Sequence, residues 1–205
     1  MIDKAEFEGN LYKYGFHFFN GYRFTDRAKE FLLDRSNYPS VDPHYEHLKF
    51  VDMGQIEDKD ITDDLFDGLP EDLKELCDIY DVYWTSRMTF KGCYMEPHTD
   101  DYSHNPAMRA GPGNFVAWLC PESFTGRDFV WGAIEDLDQL PTLFNRSNNT
   151  IKYQDDPNFK VLGRMKPVTG LGVIPSKRNP LFWHAVDELT SDTPVIVIRG
   201  SMWDK

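Results

Sequence analysis

Residues 193–203 read TPVIVIRGSMW, an unbroken β-branched run followed by an arginine, a glycine and an aromatic end. A short Val/Ile-rich run between turn residues reads as a β-strand. The same character extends back through the chain to Asp81. VYWTSRMTF, NFVAWLC, DFVWG, GLGVIP and LFWH are all short, β-branched or aromatic, and broken by Gly, Pro, Asn or Asp. Strands with that punctuation predict an all-β sandwich or barrel.

Upstream of Asp81 the pattern is helical. In TDRAKEFLLD, residues 25–34, Thr25 suits the cap, and Ala28, Phe31 and Leu32 share one face. In PEDLKELCDIY, Pro70 suits a first turn, while Leu73, Leu76, Cys77 and Tyr80 fall at helical spacing. These stripes predict N-terminal helices packed on one sheet of a mainly β protein. The 205 residues form one expected domain, helical over about 1–80 and strand-rich over about 81–205. Residues 135–160 are polar and poorly periodic, an expected insertion at the sheet rim that serves as a lid or as an uninvolved loop.

Composition excludes several classes of function. The formal charge of −12 repels phosphate backbones, so nucleic acid and anionic membranes are disfavoured partners. Lys177 and Arg178 make only a short basic pair, expected in a solvated loop. No apolar run approaches the roughly 18 residues of a membrane span, and the N-terminus lacks the apolar core of a signal peptide. Cys77, Cys93 and Cys120 show no CxxC spacing, which argues against a disulfide framework and for a reducing cytoplasm.

The chemistry-bearing residues form a series. His98 and Asp100, in YMEPHTDDYSH, are two apart, so in an extended chain both side chains point the same way and reach one ion. Imidazole and carboxylate are ligands for divalent transition metals. His184 follows the apolar run Leu181-Phe182-Trp183; such a histidine is either a ligand or a hydrogen-bonded core residue. Arg199 and Ser201 are again two apart. A guanidinium on an apolar strand requires an anion, either a ligand carboxylate held by its fork or a protein carboxylate.

This series, His98-x-Asp100, His184 and Arg199-x-Ser201, resembles that of the iron(II)- and 2-oxoglutarate-dependent oxygenases. WLCPESFTGRDFVWG and KPVTGLGVIPSKRNPLFWHAV resemble the central strands of prolyl-hydroxylase-like members, and the resemblance covers about residues 83–203. The position of Arg199 is closer to that of taurine- and clavaminate-type enzymes; prolyl-hydroxylase-like members place their anchor where this chain has Pro194, which makes Arg87 and Arg109 fallback anchors. The resemblance implies a double-stranded β-helix, or jelly roll. It implies Fe(II) on His98, Asp100 and His184, with 2-oxoglutarate held by Arg199, Ser201 and Tyr94. With O2, the cosubstrate is decarboxylated to succinate and CO2 while a protein side chain or small molecule is hydroxylated. Trp118, Trp131, Phe182 and Trp183 are expected in the pocket wall or the core. Two other readings stand beside this one. A cupin-like metalloenzyme without 2-oxoglutarate would draw on His104, and a non-catalytic jelly-roll binding module would leave His98 and Asp100 on a loop. Oligomeric state has no signature in the sequence.

Overall fold

The computed structural model describes residues 3–39, 49–98, 111–134, 153–177, 179 and 181–205. Four helices belong to the N-terminal part: α1 (Lys4–Tyr14), α2 (Asp26–Leu33), α3 (Lys59–Asp67) and α4 (Glu71–Ile79). The first three are capped by side chains. Asp3 accepts from the Glu6 N–H, Thr25 from Ala28, and Asp58 from Asp60 and Ile61, so orphan donors of each first turn are satisfied. Pro70 precedes α4, where its missing N–H costs nothing. Two short strands, β1 (Phe16–Asn20) and β2 (Phe50–Gln55), lie among these helices in the part expected to be helical.

Eight further strands follow: β3 (Tyr80–Thr89), β4 (Met95–His98), β5 (Asn114–Leu119), β6 (Phe129–Ile134), β7 (Phe159–Met165), β8 (Leu171–Pro175), β9 (Phe182–Val186) and β10 (Val195–Asp204). They form two antiparallel sheets, with orders β1-β8-β5-β10-β3-β2 and β4-β9-β6-β7. From β3 to β6 successive strands alternate between the sheets, and they do so again from β7 to β10. That winding makes a double-stranded β-helix, the jelly roll expected from the sequence.

Strand periodicity separates two cores. On β10, Ile196, Ile198 and Met202 face outward and join Trp84, Met88, Phe115 and Ala117 beneath Ala28, Leu32, Ile61, Leu65, Leu73 and Leu76 of the helices. Each such fully buried aliphatic side chain contributes on the order of 1.5–3 kcal/mol. The opposite face carries Val195, which clusters between the sheets with Trp118, Phe129, Val173, Val186 and Leu189. The helices therefore cover one face of the large sheet and leave its other face to the site. Arg27 clamps α2 to α3, with Nε and Nη2 each donating to the Asp64 carboxylate at 2.8 Å while Thr25 donates to the same group.

Candidate active site between the sheets

Register arranges the inner face in rows. Across three paired strands, Arg199 stands beside Thr85 and Val116, and Val197 beside Arg87 and Trp118. On the small sheet His184 stands between His98 and Trp131, and Val186 between Met95 and Phe129. Met95 and His98 both line the pocket although three residues apart, because the β4–β9 register shifts between them. Two contacts match the levels of the sheets: the Trp118 and Phe129 rings lie 5.9 Å apart, and Arg87 Nη1 reaches Met95 Sδ at 3.8 Å. The Arg199 row is thus level with the histidines. Below Met95 a floor is sealed by backbone bonds from Gly92 to Leu189, from Leu189 to Cys93 and from Thr190 to Thr125.

His98 and His184 bring their rings to 4.2 Å between centroids. His98 Nδ1–H donates to the Glu96 carbonyl at 2.8 Å, which leaves Nε2 as the lone-pair nitrogen. The His184 ring stacks on Phe129 at 5.3 Å and meets the edge of Phe16 at 6.3 Å, so aromatic packing sets its orientation. A pair of imidazoles held this way fits two nitrogen ligands of a transition metal. Asp100, the expected third ligand, lies outside the described residues, as do His104 and Arg109. Among the described residues no third carboxylate, thiol or imidazole joins the two histidines.

Arg199 lines the pocket, as its place on the strand predicted. Ser201 lies one row further toward the open end, half-buried, beside Tyr83 and Asn114. Tyr94 is half-buried just before β4, and neither Tyr94 nor Ser201 is part of the pocket lining. Arg87 lines the pocket, with its Nη2 on Asp52 at 3.1 Å and its guanidinium 3.9 Å over the Phe50 ring. Trp118 forms wall, while Trp131 sits beside Phe18 at 5.0 Å. Trp183 faces away, into a separate cluster with Val130, Ile134, Phe159 and Ala185. Lys177 corrects one expectation: it is buried rather than solvated, donating to the Met202 carbonyl.

Arg127 is the residue that the sequence reading passed over. It is 1% exposed, lines the same pocket, and among the described residues no acceptor meets its Nε or Nη1. Desolvation pushes its pKa below the ordinary arginine value. Its backbone is in the left-handed region at φ 68°, next to Gly126 at φ 77°. Gly126 has no alternative there, because a Cβ would lie 1.9 Å from the Glu188 carbonyl oxygen. Strain of about 1–2 kcal/mol is thus retained to aim a buried cation inward.

Searches by sequence find no matching family profile and no matching curated protein. Solved structures do match. A prolyl-4-hydroxylase from Pseudomonas putida superposes with a TM-score of 0.61 at 13% identity, covering 98% of each chain. The fold is that of the 2OG-Fe(II) oxygenases. A collagen prolyl hydroxylase from Paramecium Bursaria Chlorella virus-1, solved with 2OG, gives 0.52 at 15% identity, covering 93% of this chain and 97% of its own. HygX from Streptomyces hygroscopicus, solved with nickel, 2-oxoglutarate and hygromycin B, gives 0.56 at 10% identity over 97% and 86%. In the 2OG-Fe(II) oxygenase fold of this chain, the pocket opens beside paired imidazoles and is walled by Val116, Trp118, Phe129, Val186 and Val197. Such a wall keeps water away and strengthens every charge interaction inside. Of the expected rim insertion, residues 135–152 lie outside the described residues, and 153–160 form a short 3-10 turn and the start of β7.

Proposed function

We propose that this protein is an iron(II)- and 2-oxoglutarate-dependent oxygenase that hydroxylates a protein side chain or a small molecule, releasing succinate and carbon dioxide. The observation that carries the reading is the pair of imidazoles, 4.2 Å apart between ring centroids, facing a pocket that also holds the buried guanidinium of Arg127 and the half-buried Arg87 and Arg199. Neutral nitrogen ligands beside cations suit a metal that binds together with an anionic cosubstrate. His98, Asp100 and His184 are the proposed metal ligands, and Arg199, Ser201 and Tyr94 remain candidates for contact with the cosubstrate. Bound iron(II), with 2-oxoglutarate and O2, supplies the oxidising chemistry.

The chain's own residues bind, orient and keep the site dry. Glu96 holds the His98 tautomer, and Phe129 and Phe16 hold the His184 ring. Guanidinium groups neutralise the carboxylates of the cosubstrate, which are costly to bury unpaired. The three cysteines are free, which supports work in a reducing compartment, the cytoplasm by default. Among the described residues no helix is long and apolar enough to cross a membrane. Shared core residues of helices and large sheet support a single domain.

The test is to supply purified protein with Fe(II), ascorbate and 2-oxoglutarate and to assay succinate, with and without candidate peptides and small molecules. Succinate formation that requires iron is the expected result. A protein that retains no metal and binds no 2-oxoglutarate by calorimetry would end the proposal.

A further inference from the structure

The pocket holds guanidinium groups at three levels, with Arg87 in the middle row, and this inference deepens the function proposed above by assigning the deepest. Arg199 is level with His98 and His184, whereas Arg127 enters from beneath the Phe129 row, two residues before that strand begins. Successive rows are about 6.6 Å apart along a strand. A 2-oxo acid whose keto end lies at the histidines reaches Arg127 when its far end points down toward the floor, away from Arg199.

We infer that Arg127 is the positioning residue that receives the far carboxylate of 2-oxoglutarate. The guanidinium is buried, lines the pocket, and has two nitrogens that no described residue satisfies. Among the described residues, Cys93 and Cys120 are the only anionisable groups that act on its charge, and burial raises both thiol pKa values, Cys120 to about 11. Both are therefore neutral at pH 7, so among the described residues no anion compensates the cation. Arg87, the other nearby guanidinium, is already engaged by Asp52. A carboxylate arriving from the ligand supplies two parallel acceptors in the fork geometry that an arginine prefers. Arg199 is left to the level of the metal, where the reacting end of the cosubstrate lies.

The experiment measures how much affinity the far carboxylate contributes. Protein loaded with manganese(II), which needs no turnover, is titrated by calorimetry with 2-oxoglutarate and with 2-oxovalerate, which lacks that carboxylate. Wild type is expected to prefer 2-oxoglutarate by at least roughly tenfold, the scale of hydrogen bonds to a charged group. Arg127→Gln should erase the preference by weakening 2-oxoglutarate alone, while Arg199→Gln should retain it. Thermal melts report folding. If Arg127→Gln does not fold, Arg127→Lys takes its place and should lose most of the preference, because an ammonium cannot reproduce the fork. A full preference in the Arg127 variant, or its loss in Arg199→Gln, overturns the assignment and leaves the oxygenase reading intact. Wild type that binds 2-oxoglutarate without preference overturns the assignment as well. Wild type that binds neither acid overturns the function and the assignment together.

Discussion

His98 and His184 meet because β4 and β9 pair antiparallel with those residues opposite each other. A one-residue slip of β9 would turn His184 outward and bring Trp183 into the pocket. His184→Ala should therefore abolish metal retention while the fold persists, checked by metal content after desalting and by circular dichroism. Gly126→Ala combines a left-handed φ with a contact of 1.9 Å and should destabilise by at least about 2 kcal/mol in urea melts. Burial pushes the Cys77 thiol up to about 12 and Cys120 up to about 11, so both lack thiolate at pH 8. Thiol reagents should label them slowly in the native protein and rapidly after unfolding. At this scale the motif histidines and Arg199 were legible in the sequence. Arg127 was not: in TGRDFVWG it is one arginine after a turn, and nothing local distinguishes a solvated guanidinium from one driven inward by the backbone of Glu188 and Leu189. The available signal was Gly126 immediately before a charged residue at the entrance of an apolar strand.

Elements with their own caps and periodicity were readable. Thr25 caps α2 and Pro70 precedes α4 as expected, since those interactions close within a few residues of chain. The short strands β1 and β2 were missed because their pairing lies at the edges of the large sheet, with partners far away in the chain. The α2–α3 junction gives a prediction with a definite sign. Arg27 and Thr25 hold Asp64 down to a pKa of about 2, from an ordinary value near 3.8. A carboxyl whose folded pKa is depressed contributes stability that is present above its unfolded pKa and lost as pH falls through the folded one. The Asp64 contribution should therefore disappear between about pH 4 and pH 2, and Asp64→Asn should remove that part of the acid dependence in pH-resolved melts.

For the whole molecule, ligand and stability are linked, because the site is built from residues of both sheets and exists only when folded. Manganese(II) and 2-oxoglutarate at a hundredfold excess over Kd should raise Tm by about 5–10 °C, from roughly 2.7 kcal/mol of linkage and 2–4 °C per kcal/mol at this size. Scanning fluorimetry with and without a chelator checks it; an unchanged Tm would show that no such ligand binds the folded state preferentially.

Alternation, turn residues and caps are local, so the order of strands and helices could be read from the chain, and the ligand series could be ordered along it. Depth within the barrel is not local. It depends on which row of one sheet faces which row of the other, a matter of register and of packing such as Trp118 on Phe129. Only the tertiary structure therefore set Arg199 beside the histidines and a second, strained and buried guanidinium beneath them.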